Sequence, residues 1–361
     1  MEQKKYKVAI HDTMESIAEE TGYSVEEIIK WHNAHSYRFI TKAFDVWQLP
    51  LEIQLPDYPP KPKPKPTPEE KEKLLLESLM REKESKYRCE QSIVTKINSV
   101  IQNYVNTKSE FLVRKQQTPN GLVVKNDLTD SIMNVYPPSL EAVSQLMNDL
   151  ELLKCNTVVQ ADADTGKIAR ILNHKDIIKN WEKHKTALLG KFSFIRAPQP
   201  KEELSKFVSL VEKQITNEQN LIQELSIKMF FGLFFDRYLV GGKLQPQTYA
   251  IDFNSSLFEG VKVPMQFTQN IVSESEEKVE MSKTGVLDKK KYVAAAFEKM
   301  YDTKYKPAVK YKFSGYNMLY SETCAINTKE RLLETADVTI VEEVTNNVEI
   351  DIRFNLKKVK L

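Results

Sequence analysis

A run of alternating lysine and proline divides this chain more firmly than any other feature of its sequence. Residues 56–68 read Pro-Asp-Tyr-Pro-Pro-Lys-Pro-Lys-Pro-Lys-Pro-Thr-Pro. Proline has no backbone N–H to donate, so the run favours an extended polyproline II spacer of about 3.1 Å per residue. The sequence therefore predicts a small module at residues 1–55, a Lys-Pro linker at 56–68 and a body at 69–361. Within the body, we expect a charged helix at 69–85 and a main domain at 86–361.

The module before the linker carries consistent local signals. Apolar and polar residues alternate over residues 6–10, which indicates a short strand with one buried face. Asp12 or Thr13 can cap a first helix, and Ser24 with Glu27 three residues later matches a capping box for a second one. The segment Val-Trp-Gln-Leu at residues 46–49, followed by a proline, predicts a closing strand.

These residues together resemble a LysM domain. The family pattern runs Tyr-x-Val, Asp-Thr-Leu-x-x-Ile-Ala, Gly-x-Ser-x-x-x-Ile, Asn and a final strand that ends in proline. In this chain the corresponding segments are Tyr6-Lys-Val8, Asp12-Thr-Met-Glu-Ser-Ile-Ala18, Gly22-Tyr-Ser-Val-Glu-Glu-Ile28, Asn33 and Val46-Trp-Gln-Leu-Pro50. The resemblance covers about one seventh of the chain. It implies a β-α-α-β fold that binds glycans containing N-acetylglucosamine, such as peptidoglycan or chitin.

The resemblance also implies where the glycan would bind, in a groove between the loop after the first strand and the loop before the last. In the first loop His11 stands where the family usually has glycine, and the second lacks the usual Pro-Gly-Gln. Aromatic rings in the second loop can either face a sugar or close a small core, and the module can alternatively contact a protein. The candidate glycan- or partner-binding residues are His11, Asp12, Thr13, Met14, Tyr37, Phe39, Ile40 and Phe44.

The body is predicted to be α+β with an antiparallel sheet. Apolar and charged residues alternate strictly over residues 348–357, which is typical of a strand with one face buried. A hairpin turn at 345–347 would join this strand to one at 338–341. Further strands are predicted at residues 93–97, 111–113, 155–160, 167–171, 261–267 and 309–313. Helices are predicted at 139–153, 174–189, 289–301 and 201–235, the last one either lying across the sheet or breaking near Asn217.

Charge and composition narrow the partners. Lysine and arginine number 52 against 50 aspartate and glutamate, so neither nucleic acid nor an anionic membrane surface is an expected partner. A protein partner is expected, with peptidoglycan or an N-acetylglucosamine oligomer as the glycan ligand. No apolar run follows the first five residues, and none is long enough to span a bilayer. We therefore expect a cytoplasmic protein as synthesised, which either stays there, leaves by a signal-independent route or joins a secretion apparatus.

The sequence offers little for catalysis or metal binding, and we predict no catalytic residues, metal or cofactor. Cys89, Cys155 and Cys324 lack metal-ligand spacing and are expected to be buried, reduced thiols. A Cys155 nucleophile with His174 or His184 is a weak alternative. Residues 162–166, Asp-Ala-Asp-Thr-Gly, lack the later ligands of a calcium loop and predict a turn between strands. The two histidines at 32 and 35 have no third ligand and are expected at the surface or in a loop.

Three functions remain open. The first is a non-catalytic adaptor that binds peptidoglycan through the LysM-like module and a partner through the body. The second is a structural, loading or cargo component of a contractile, phage-tail-like injection apparatus of the type VI kind. The third is a cell-wall hydrolase whose catalytic residues match no motif.

Overall fold

The computed structural model describes residues 4–41, 48–60, 67–191 and 198–360. The chain divides into two units, which we call the amino-terminal unit (Met1–Leu74) and the body (Leu75–Leu361). The protein is α+β with a large antiparallel sheet and several helices, as predicted from the alternating patterns in the sequence.

The amino-terminal unit has the element order β-α-α-β. Strand β1 (Lys5–Lys7) pairs antiparallel with β2 (Glu52–Gln54), and helices α1 (Met14–Thr21) and α2 (Val25–His35) lie between them in the chain. Tyr6 stands opposite Ile53 in this two-stranded sheet. The buried apolar residues are Met14, Ile17, Ala18, Tyr23, Ile28, Ile40 and Ile53.

Local signals fix both helix starts in this unit. Thr13 caps α1 and forms a capping box with Ser16, and Ser24 forms the same arrangement with Glu27 at α2. Gly22 ends α1 in the left-handed conformation, with φ of 79°. These features were readable in the sequence because capping involves residues only three positions apart.

The closing strand differs from the prediction. Gln48 and Leu49 are not in a strand, and β2 instead begins two residues after Pro50, at Glu52. Pairing at this later position buries Ile53 completely in the small core. Residues 46 and 47 lie outside the described residues.

The body is built on an antiparallel sheet of eleven strands. Its order is β7-β6-β5-β4-β3-β13-β12-β11-β10-β9-β8. The strands are β3 (Ser85–Ile97), β4 (Val100–Thr118), β5 (Gly121–Tyr136), β6 (Thr157–Ala161), β7 (Ile168–Ile171), β8 (Gln247–Asn254), β9 (Lys262–Glu274), β10 (Lys278–Leu287), β11 (Tyr316–Asn327), β12 (Leu332–Val344) and β13 (Val348–Val359).

Helix α3 (Pro68–Leu79) precedes β3 in the chain. The helices in the connections between the strands are α4 (Glu141–Cys155), α5 (His174–Lys191), α6 (Pro198–Thr216), α7 (Glu218–Ile227), α8 (Met229–Phe234), α9 (Ala294–Lys304) and α10 (Lys306–Val309). The last turns of α3 place Leu79 against Val123 and Val158 of the sheet. The main core combines the inward face of the sheet with aromatic side chains of α5 and α8, among them Trp181 and Phe234.

Two runs of neighbouring strands meet at the centre of the sheet. Strands β3 to β7 extend in one direction and β13 back to β8 in the other, and β13 pairs with β3 so that Leu356 faces Cys89. The alternation predicted for β13 is confirmed, since Ile352, Phe354 and Leu356 are buried. The predicted hairpin from β12 to β13 is confirmed as well.

Several predictions for the body need correction. The charged helix predicted over residues 69–85 ends at Leu79, and the helix predicted over 289–301 begins at Ala294. Residues 309–313 are not a strand: Pro307 sits in the first turn of α10, Lys310 ends that helix with φ of 63°, and Tyr311 is 62% exposed. The helix predicted over residues 201–235 is three helices, α6 to α8. A break near Asn217 was one of the two predicted arrangements, and the helix does break there. The Asn217 side chain accepts a hydrogen bond from the backbone N–H of Asn220 and so caps α7.

Candidate functional site

The first loop of the predicted glycan groove is held by its own hydrogen bonds. The Asp12 carboxylate accepts from the backbone N–H of Ala9 at 2.6 Å and from the Tyr6 hydroxyl at 3.2 Å. Tyr6 also donates to Glu20, and this bond, with burial and the charge of Asp12, raises the pKa of Tyr6. Asp12 therefore shapes the loop, and Thr13 is occupied as the cap of α1.

The predicted site residues fall into two groups. Met14 and Ile40 belong to the buried core, so neither side chain is available to a surface ligand. The Asn33 side chain holds Ile40 in place with two hydrogen bonds: it accepts from the backbone N–H of Ile40 and donates to the carbonyl of Ile40. His11 is exposed beside Asp12.

Two aromatic rings are displayed rather than packed. Tyr37 is 97% exposed and Phe39 is 69% exposed, both just after α2. Neither of these two rings belongs to the small core formed by the described residues. Phe44, the remaining predicted site residue, lies outside the described residues.

A buried histidine in the same unit was not anticipated. The His32 side chain is buried on α2; its Nδ1 accepts from the backbone N–H of Gln54 at 2.9 Å, and its Nε2 donates to the carbonyl of Arg38 at 2.8 Å. Burial lowers the pKa of His32, although the bond to Arg38 opposes this. The prediction of a surface or loop position was wrong for His32, whereas His35 is exposed and stacks on Trp31. The signal was its spacing of four residues from Ile28, on one helix face.

The body contains a cavity of about 890 Å³. It is lined by one face of the sheet, including β4 and β5 towards one end and β8 at the other, so the sheet curls around it. The carboxyl-terminal half of α4, the end of α7 and α8 complete the lining. Most of the lining is apolar, including Ile93, Val105, Met133, Ile340, Ile352 and Phe354.

Among the described residues, the charged side chains that line this cavity are either paired or at its exposed edge. Lys283 on β10 donates to both carboxylate oxygens of Glu322 on β11 at 2.9 Å, and Tyr320 donates to Glu322 as well. Burial works against the charge of Lys283, but Glu322 outweighs it and raises the pKa of that lysine. On the helical side, Lys228 donates to both oxygens of Glu151.

The sheet also contributes uncharged polar side chains to the lining of the cavity. Gln91 faces Thr107 in register across β3 and β4, and Ser131 lies on β5 opposite Ser109. In the part of the chain that the structure describes, the side chains of Gln91, Thr107 and Ser131 make no hydrogen bond within the protein. These groups therefore have donors and acceptors to offer a ligand.

The proposed thiol nucleophile is poorly placed for catalysis. Cys155 is buried, its Sγ lies 3.6 Å from a Glu151 oxygen, and burial raises its pKa. His174 is engaged elsewhere, since its Nε2 lies 2.7 Å from the carbonyl of Ile215. The thiolate needed for attack is thus disfavoured. All three cysteines are buried, as predicted.

The Asp-Thr-Gly segment forms the predicted turn. Asp162 accepts from the backbone N–H groups of Asp164 and Thr165 and from the Thr165 hydroxyl, which lowers the pKa of its carboxyl. Gly166 has φ of 69° and donates back to the Asp162 carbonyl. The turn joins β6 to β7, as the sequence indicated.

Comparisons with known proteins add little. No family model matches the chain, and no curated protein matches it. A solved structure titled "Lipid-protein interactions in lipovitellin" is similar to 77% of this chain at 12% identity, with a TM-score of 0.35. The match spans 25% of that protein, and at this TM-score it supports no conclusion. Within the described residues, no helix has the length and apolarity needed to cross a membrane.

Proposed function

We propose that this protein is a non-catalytic adaptor whose amino-terminal unit binds a glycan containing N-acetylglucosamine, such as peptidoglycan, while its body engages a protein partner. One observation carries the glycan part: Tyr37 and Phe39 are displayed on the loop where the LysM resemblance places the groove. Aromatic rings combine an apolar face with, in tyrosine, a polar tip, and both suit the alternating apolar and hydroxylated surface of a sugar.

The first loop supports this arrangement by its fixed conformation and by one proposed contact, His11. Asp12 bonds Ala9 and Tyr6 and so keeps the loop in one conformation. A rigid loop lowers the entropy that binding would otherwise cost. His11 is exposed at the tip of this loop and is our choice for a polar contact to the sugar.

Sedimentation with purified peptidoglycan tests this function. We expect the full chain to sediment with the wall, and the double variant Tyr37→Ala, Phe39→Ala to bind about tenfold more weakly, a loss of about 1.4 kcal/mol. Tyr311→Ala is the matched control, because Tyr311 is an exposed tyrosine of the body. Equal binding by the double variant and the control would rule out the two rings as the glycan surface.

The same sedimentation experiment tests a second candidate function. The polar groups of Asp12 and Thr13 are already bonded within the unit, and His11 replaces the usual glycine, which favours a protein contact for this loop. The protein would then be a structural, loading or cargo component of a contractile injection apparatus. Failure to bind peptidoglycan, together with neighbouring genes for tube, sheath or spike proteins, would favour this candidate.

A separate experiment tests the proposal that the protein is not a catalyst. Incubation of purified wall with the full chain should release neither muropeptides nor reducing ends above a blank. Release of either product would establish the hydrolase alternative instead.

A further inference from the structure

We propose that the cavity of the body binds one uncharged, lipid-like molecule, with a long apolar chain and a hydroxyl, ester or amide group at one end. This inference is independent of glycan binding, because every residue that carries it lies in the body.

The size and lining of the cavity suit such a ligand. Ligand pockets usually measure about 300–1,000 Å³ and combine an apolar lining with a few placed polar groups. The cavity, at about 890 Å³, is near the upper end of that range and has Ile340, Ile352 and Phe354 on its floor.

The mouth of the cavity is also apolar. Ile227, at the end of α7, is 67% exposed although it lines the cavity, and Met147 on α4 and Ile251 on β8 are exposed too. Exposed apolar side chains that line one cavity are typical of a site that takes an apolar ligand.

The charged residues of the cavity lining disfavour a ligand with an anionic headgroup. The two lysines that line the cavity, Lys228 and Lys283, each donate to both oxygens of a glutamate. The other lining charge, Asp252, is an exposed carboxylate on edge strand β8. Each lysine is therefore already neutralised by a carboxylate, and a carboxylate or phosphate would gain little there unless it displaced a partly buried glutamate, which is costly.

Uncharged polar groups provide recognition in place of charge. Gln91 offers an amide donor and acceptor, and Thr107 and Ser131 offer hydroxyls, with no partner among the described residues. Cross-strand pairing of Gln91 with Thr107, and of Thr107 with Met133 on β5, keeps this polar patch beside apolar side chains. A glycerol ester or a long-chain alcohol can satisfy these groups while its chain lies along the floor.

Titration calorimetry of the delipidated full chain tests the proposal, with 1-oleoylglycerol and oleate as probes below their micelle concentrations. We expect one molecule of 1-oleoylglycerol to bind with a negative heat-capacity change, the marker of apolar burial. Oleate should bind at least about tenfold more weakly, a difference of about 1.4 kcal/mol. Absence of 1:1 binding, or tighter binding of oleate, would overturn the proposal.

Matched variants connect binding to this cavity. Ile340→Trp fills the floor and should abolish binding, whereas Thr339→Trp on the opposite face of β12 should leave it unchanged. If Ile340→Trp fails to fold, Gln91→Leu, which keeps the size of the side chain, should weaken binding about tenfold while the thermal transition is retained. Unchanged binding by Gln91→Leu and by folded Ile340→Trp would show that the ligand lies elsewhere.

Discussion

His32 links three parts of the amino-terminal unit through one imidazole ring. It stands on α2, accepts from Gln54 in β2 and donates to Arg38 in the loop that carries the exposed aromatic rings. Both bonds require the neutral ring with its proton on Nε2, because a protonated Nδ1 could not accept from Gln54. The stability of this unit is therefore coupled to the charge of one histidine.

This coupling predicts a pH dependence. The pKa of His32 is lowered in the folded chain, so below the ordinary histidine value of about 6.5 the unfolded chain binds the proton first. The stabilisation is fully present above that value and is lost as the pH falls through the lowered pKa. Hydrogen exchange at the Gln54 amide, corrected for its intrinsic rate, should show protection falling between pH 7.5 and 5.5.

A matched pair of variants isolates the ring responsible. His32→Gln removes the titrating group, so the pH dependence of protection at Gln54 should disappear, whereas His35→Ala should retain it. A wild-type chain with constant protection over this range would contradict the coupling.

At the scale of elements, the β12–β13 hairpin shows what the sequence could predict. Its alternation is local, and its turn contains Asn346 with φ of 61°, which asparagine adopts more readily than most residues. The strands β10 and β11 were missed for a physical reason: Lys283 and Glu322 face inward as a pair, so each strand shows a charge where alternation requires an apolar residue.

The hairpin turn gives a prediction of its own. Asn346→Val should lower the free energy of unfolding by about 1–2 kcal/mol, because a β-branched side chain crowds the backbone in the left-handed region. Asn346→Gly is the control and should remain close to the parent protein, since glycine adopts this conformation without strain. Urea titration measures both values, and equal stability of the two variants would contradict the argument.

Glu342 on β12 holds the loop that follows β8. This buried carboxylate accepts from the hydroxyl of Ser255, the backbone N–H groups of Ser256 and Leu257, and the hydroxyl of Tyr316. Ser255 and Ser256 line the cavity, so the carboxylate fixes part of its wall.

Replacing this carboxylate should be strongly destabilising. Glu342→Leu would leave up to four donors without an acceptor, at about 1–3 kcal/mol for each one that stays buried. Glu342→Gln should cost much less, because its carbonyl can serve the two N–H groups and its amide can donate to the hydroxyl oxygens. Denaturant titration compares the two, and equal losses would show that the donors find water instead.

At the scale of the whole molecule, the α+β class could be predicted, whereas the cavity could not. The proline run, the caps and the alternation are local patterns. The cavity brings together residues such as Gln91, Ser131, Ile251 and Ile352, which are far apart in the sequence and meet only because the sheet curls. The exposure of Tyr37 and Phe39 likewise depends on which residues complete the small core.

Truncation tests how independent the body is. Among the described residues, the apolar core of the amino-terminal unit runs from Met14 to Ile53, and the buried apolar residues of the body begin at Leu79. Deleting residues 1–55 should therefore leave a body with its own cooperative thermal transition.

Deleting residues 1–80 also removes Leu79, which is completely buried against Val123 and Val158. This deletion should lower the free energy of unfolding of the body by at least about 2–5 kcal/mol, the usual loss when such a side chain is removed. Calorimetry of both truncations separates the two effects: aggregation of the first, or equal melting of the two, would show that the boundary lies elsewhere.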